Sequence, residues 1–176
     1  MKLNVSRFLM AFAFICAGVF GASSLLPTNL QAAKKETIFA RVVGISDGDT
    51  VTVLAEGNQR IKIRLQGIDA PERSQAFGMR SRQNLANLIF GKNVQIKSHG
   101  LDKYKRTLGT IFINDQDINE QMLKDGFAWF YQRYAKDLTG DQASRYEAAE
   151  ISAKASGLGL WADTDPTPPW DYRKKK

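Results

Sequence analysis

The 176-residue chain has one cysteine, Cys16, and one histidine, His99. A single cysteine closes no disulfide within the chain, and the pair leaves no Cys/His set for a zinc site. Acids are missing as well before Glu36. That acid-free opening holds Lys2 and Arg7, a long apolar run from Phe8 to Leu26, Pro27, and the small-residue sequence Leu30-Gln31-Ala32-Ala33. A basic start, an apolar run and a cleavable site read as a secretory signal peptide over residues 1–32. The rival reading is an uncleaved membrane anchor, since the run is long for a leader. Ala, Gly and Ser interrupt the run, which favours removal, and Ile15 argues against a lipoprotein site at Cys16. The mature chain then has no cysteine and must fold without staples despite export, which a domain of about 140 residues can do.

The net charge is +7, and residues 1–32 account for two of the basic residues and no acid, leaving +5. A basic exported domain suits a polyanion: nucleic acid, anionic lipid or an acidic wall polymer. The chain divides into the leader, one folded domain over residues 33–162, and a basic tail over 163–176. The tail carries Pro166, Pro168 and Pro169 and ends Arg173-Lys174-Lys175-Lys176. Its composition predicts extended or disordered chain.

Within the domain, Thr37 to Ile45 is rich in β-branched residues and reads as a strand. Asp47-Gly48 signals a hairpin turn, and Thr50 to Leu54 alternates as a half-buried strand. Ile61, Ile63 and Leu65 share one face of the next strand, with Lys62 and Arg64 on the other. Pro71 stops that strand from continuing simply. Gly78 to Phe90 has helical spacing and stops at Gly91. Strands follow over Val94–His99 and Leu108–Ile113. Asp117 with Glu120 marks a helix start, ended by Gly126. Asp141 to Ser156 is a further helix, with Tyr146, Ala149 and Ala153 on one face. The fold class is α+β, mainly β: a five-stranded OB-fold barrel with three packed helices.

Ser46 to Glu72 carries the chemistry. Asp49, Asp69 and Glu72 flank two strand-like runs joined by Glu56-Gly57-Asn58. If the runs pair as a hairpin, the acids converge with Arg64 beside them. A phosphodiester is already anionic, so its hydrolysis needs positive charge on the phosphoryl oxygens, a positioned water and a base. Asp49, Asp69 and a carbonyl near Ala70 are hard oxygen ligands suited to calcium or magnesium. Glu72 is the available base, and Arg64 and Arg106 can bind phosphate oxygens bidentately. Plainer readings stand beside these. Asp47-Gly48-Asp49 reads also as a simple turn that does not fit an EF-hand loop. Asp69-Ala70-Pro71-Glu72 reads also as a polar strand exit, and Arg64 and Arg106 as solvated charges. His99 reads as a strand residue rather than a ligand. Phe127, Trp129, Phe130, Tyr131 and Tyr134 read as packing, with base stacking open to Tyr134.

The motifs SDGDTV, RLQGIDAPE, DKYKRTLG, INEQMLKDGFAW and GLGLW, in that order from about Thr37 to Trp161, resemble the staphylococcal nuclease (thermonuclease) family. The resemblance implies an OB-fold with three helices that hydrolyses DNA and RNA with calcium (Ca2+). It implies Asp49, Asp69 and the Ala70 carbonyl as metal ligands, Ala standing where the namesake has Thr. It implies Glu72 as the residue that activates or orients water, and Arg64 and Arg106 as phosphate-binding arginines. Lys103, Tyr104 and Tyr134 fall near the bound nucleotide, and Asp47 is an acid just behind the metal. Two positions depart from the pattern: Gln132 replaces a nucleotide-contacting Tyr, and Lys105 replaces a Gly ahead of Arg106. The expected product is a 3′-phosphate end. No base-reading element is visible, so weak sequence preference and a taste for single strands are expected. A monomer acting in the periplasm or the medium, away from the membrane, completes the expectation. The alternatives are a noncatalytic OB-fold that only binds nucleic acid, and an anchored membrane-surface protein using the basic tail.

Overall fold

The computed structural model describes residues 36–175. The expected leader, with its cleavage site and Cys16, lies outside the described residues.

Five long strands form the barrel. They are β1 (Thr37–Asp47), β2 (Thr50–Ala55), β3 (Arg60–Leu65), then, after a two-residue β4 (Ile68–Asp69) and helix α1 (Gly78–Ile89), β5 (Asn93–Leu101) and β6 (Thr107–Ile113). The first hairpins follow local pattern. Asp47-Gly48 turns β1 into β2, and Glu56–Asn58 turns β2 into β3. β1 pairs antiparallel with β5 through its first half and with β2 through its second, bending at two register shifts. An extra residue at such a shift kinks a strand and deepens its twist, which lets one strand serve two neighbours.

Closure comes from a parallel seam. Ile63, Arg64 and Leu65 of β3 stand opposite Thr107, Leu108 and Gly109 of β6. Gly109 is required there, because a Cβ would lie 2.7 Å from Ile96 Cγ2 and 3.2 Å from Ile63 Cγ2. Alternation along the strands sends Val51, Val53, Ile63, Leu65, Ile96 and Ile111 into the barrel, all fully buried. Burial of a Val or Ile side chain contributes about 1.5–3 kcal/mol, so this interior dominates stability.

The helices close the ends. α1 buries Leu85 and Ile89. A short β7 (Gln116–Asp117) leads into α2 (Ile118–Lys124), where the Asp117 carboxylate accepts from the Glu120 N–H, as its spacing predicts. Next, β8 (Trp129–Phe130) pairs with β4, a ladder too short to read from pattern. α3 (Gln142–Ala155) buries Tyr146, Ala149 and Ala153. Tyr146 donates to Asp117, 3.0 Å away, and accepts from Gln142, so α3 is bonded to the cap of α2. Burial raises the pKa of both Asp117 and Tyr146.

The tail departs from expectation. Residues 163–175 are neither disordered nor simply extended: Pro169–Tyr172 form a short helix, α4, and Arg173–Lys175 add a 3-10 turn. Composition argued for disorder because prolines and lysines bury little. One aromatic reverses the balance: Trp170 stacks on Tyr131 at 5.2 Å with rings 2° apart, and meets Trp129 edge-on at 5.6 Å. No helix among the described residues is long and apolar enough to cross a membrane.

Candidate active site

The site begins at the turn between β1 and β2. The Asp47 carboxylate accepts from the Asp49 N–H at 3.2 Å, which folds the turn. Gly48 seats it: a Cβ there would lie 1.8 Å from Ser81 Oγ and 2.8 Å from the Ala70 Cβ. With the turn pressed against α1 and Ala70, Asp49 is only 6 % exposed. Its Oδ2 accepts from the Ala70 N–H at 2.7 Å and its Oδ1 from the Thr50 hydroxyl at 2.9 Å.

The register of β2 on β3 does the rest. Thr50 stands opposite Arg64, so the arginine arrives beside Asp49. Leu65 N–H donates to the Asp49 carbonyl at 2.8 Å and ties the two ends of the hairpin together. Arg64 Nη2 lies 3.0 Å from Asp49 Oδ2 and 3.0 Å from Asp69 Oδ1, while Nη1 donates to the carbonyls of Leu65 and Ile68. Asp69 is held by the β4–β8 ladder opposite Trp129 and is 1 % exposed. One guanidinium thus bridges both buried carboxylates, while among the described residues Glu72 makes no ion pair with Arg64.

Glu72 lies past Pro71 and is partly exposed. Its backbone is fixed: the N–H donates to Gln75 Oε1 at 3.1 Å, and a Cβ on Gly78 would lie 1.8 Å from the Glu72 carbonyl oxygen. Its carboxylate meets a residue that sequence reasoning missed. Arg173 donates from Nη1 to Glu72 Oε1 at 2.9 Å, and from Nη2 to Asp69 Oδ2 at 2.7 Å. A second contact from Nη1 reaches Asp69 Oδ1 at 3.2 Å. In sequence, Arg173 opens a run of four cations, which reads as solvated charge. The available signal was Trp170 beside two prolines, an apolar anchor in a stiffened segment.

Burial pushes both nearby acids upward. The Asp47 carboxyl rises to about 7, through burial first and then the neighbouring Asp49 charge. Asp69 is raised chiefly by burial, against the lowering pull of Arg173 and Arg64. Arg173 is raised further into the charged range, first by its hydrogen bond to Asp69.

The remaining candidates sit on separate turns. Arg106 pairs with Asp102, Nε to Oδ2 at 2.6 Å, rather than with Asp49, Asp69 or Glu72. Asp102 Oδ1 also accepts from the N–H groups of Tyr104 and Arg106, so despite burial its pKa falls. Lys105 takes φ +62°, the left-handed conformation a glycine would supply, so the departure at this position leaves the turn intact. Thr107 begins the parallel seam opposite Ile63, which sets Arg106 at the mouth of the strand next to that of Arg64. Lys103 and Arg106 both lie over the Tyr104 ring, which is 66 % exposed. Tyr134 is exposed and meets Tyr131 edge-on at 4.9 Å, and Gln132 lies in the same 3-10 segment. His99 pairs with Thr110 on the barrel wall.

The donor set suits a hard cation in one way. Asp49 and Asp69 offer carboxylate oxygens within one guanidinium of each other, and each cation now on them occupies a place a metal ion can take. Among the described residues no three or more His, Cys, Asp or Glu side chains form a ready metal cage. A bound ion would therefore complete its shell with carbonyl oxygens and water, as calcium and magnesium do.

Comparison with known proteins agrees with this geometry. Residues 62–163 match the family model described as staphylococcal nuclease homologue. The chain is 45 % identical over 152 residues to a protein of Haemophilus influenzae named an uncharacterized endonuclease, covering 86 % of this chain and 82 % of the relative. It is 42 % identical over 142 residues to a micrococcal nuclease of Shigella flexneri, covering 76 % of this chain and 79 % of the relative. Protein ParB of Escherichia coli is 37 % identical over 145 residues, with 76 % and 78 % covered. By sequence, barrel topology and the matched segment together, the chain belongs to the staphylococcal nuclease family.

Proposed function

We propose that the protein is a calcium-dependent, sugar-nonspecific nuclease that hydrolyses phosphodiester bonds of DNA and RNA. It is exported after cleavage near Ala32 and acts as a monomer. The observation that carries the reading is the junction of Asp49, Arg64, Asp69 and Glu72 at the barrel seam, in a family whose relatives are named nucleases.

Asp49, Asp69 and the Ala70 carbonyl would hold the ion. A divalent cation bound there supplies positive charge for the phosphoryl oxygens. Glu72, partly open to solvent, is the base that orients water and takes its proton. Arg64 and Arg106 neutralise phosphate oxygens as the charge on phosphorus grows. The water oxygen bonds to phosphorus, the P–O5′ bond breaks, and the 5′ oxygen takes a proton from solvent, giving 3′-phosphate and 5′-hydroxyl ends. Asp47 holds the turn that presents Asp49 through its bond to the Asp49 N–H. Lys103, Tyr104 and Tyr134 line the approach of the nucleotide, with exposed rings offering stacking for unpaired bases.

The test is cleavage of denatured DNA by the purified chain across a calcium titration, with a chelator arm. Activity that rises with calcium and vanishes in chelator is expected. Undiminished cleavage under chelation refutes the metal role. N-terminal sequencing of the exported protein checks the leader: a start near Ala33 is expected, and an intact N-terminus refutes removal.

A further inference from the structure

A segment after the last long helix, residues 163–175, places a side chain on the acidic centre. From Asp163 the segment runs back across the site, tied at successive points. Gln75 donates to the Thr167 carbonyl at 2.6 Å. Pro169 is buried, and Trp170 stacks on Tyr131. The Tyr172 hydroxyl donates to the Ser74 carbonyl at 3.1 Å. These ties deliver Arg173, whose guanidinium takes both oxygens of Asp69 and one of Glu72. Among the described residues, Arg173 alone pairs with both buried Asp69 and partly exposed Glu72.

We infer that this strap is an autoinhibitory latch, in which Arg173 and a divalent cation are alternative occupants of the same carboxylate oxygens. The inference rests on the reading of Asp69 as a cation ligand. Two like charges cannot share one pair of lone pairs, so each occupant lowers the affinity of the other. The same guanidinium engages one oxygen of Glu72, which must be released before that oxygen can take a proton from water.

The latch is built to open. The Arg173 side chain is 42 % exposed, and α4 is a single turn held by Pro169 and Trp170, so opening is set by those apolar contacts and by the ion pairs. The Arg173–Glu72 pair, 42 % and 37 % exposed, is a weak surface pair that yields to competing charge, whereas Asp69 is buried and a divalent cation must replace the guanidinium there. Arg173, Lys174 and Lys175 also form a basic end that an incoming polyanion attracts, so substrate and cation act in the same direction.

Two variants of the full chain test it by calorimetric titration with calcium chloride at fixed ionic strength. Arg173→Ala removes the competing group. Trp170→Ala loosens the strap while leaving its charges, and so separates displacement from loss of repulsion. Both are expected to bind calcium about tenfold more tightly, the factor for a latch closed in roughly nine molecules of ten. Amide exchange over residues 165–175 of the unmodified chain is expected to quicken when calcium is added. Equal or weaker affinity in Arg173→Ala overturns the latch, as does an unchanged affinity in Trp170→Ala. Absence of calcium binding in every variant overturns the cation site and the latch with it.

Discussion

Replacing Arg64 by alanine is the sharpest probe of the seam. The change removes one guanidinium 3.0 Å from each of two buried carboxylates, and two hydrogen bonds to the carbonyls of Leu65 and Ile68. Asp49 and Asp69 are 6 % and 1 % exposed, so solvent cannot replace it cheaply. Breaking a buried pair from one side costs about 3–5 kcal/mol, because a charge is left without compensation. Arg173 still reaches Asp69, which places the expected loss at the lower end, about 3 kcal/mol. That leaves a domain of ordinary stability folded. The sign with pH follows from burial. Asp69 already has a raised pKa, and losing Arg64 raises it further. An acid whose folded-state pKa exceeds its unfolded value favours folding below the unfolded value and loses that favour as pH rises. The deficit of Arg64→Ala against the unmodified chain is therefore largest at pH 8 and shrinks on acidification. Added calcium shrinks it as well by supplying charge to the same oxygens. Urea unfolding followed by tryptophan fluorescence, at pH 8 and pH 5 with chelator or calcium, reads all four conditions. A loss below about 1 kcal/mol at pH 8 in chelator, or a deficit indifferent to pH, would refute the claim that this guanidinium compensates buried charge.

Three further outcomes are expected. Glu72→Gln keeps its backbone seat against Gly78, so binding of a short single strand is retained while turnover drops by about two orders of magnitude; single-turnover cleavage measures this, and unchanged turnover removes Glu72 from the mechanism. Asp47→Asn removes an acid whose pKa stands at about 7, so without metal the variant gains on the unmodified chain as pH rises from 4 to 8; thermal melts across that range check the crossover, and parallel curves count against it. Lys105→Gly relieves a left-handed backbone at φ +62° and should raise stability by up to about 1 kcal/mol, seen as a higher melting temperature.

The barrel was legible because its strands alternate and its turns carry their own chemistry. Asp47-Gly48, the facing of Ile61, Ile63 and Leu65, and the Asp117 cap each stand in the structure where local pattern puts them. The meeting of Asp49 with Arg64 followed from one hairpin register. Pairings between distant segments were not legible. The ladder of Ile68–Asp69 with Trp129–Phe130 is two residues long and has no period to detect. The partner of Arg106 was hidden for a related reason: Asp102 sits four residues away in the same turn, and the two meet only because that turn folds back on itself. The tail was misjudged because composition averages over residues, whereas one indole on one phenol ring decides where the segment lies.

The parallel seam has a further consequence for how activity is gained and lost. Asp49 and Asp69 are made early, yet their setting depends on Gly109 and Trp129, which come much later in the chain. A chain stalled before Trp129 holds Asp49, Asp69 and Glu72 but lacks the strand that seats Asp69. The same dependence runs in reverse: parting β4 from β8 frees Asp69, while the β2–β3 hairpin still keeps Arg64 beside Asp49. The setting of Asp69 thus hangs on a ladder only two residues long.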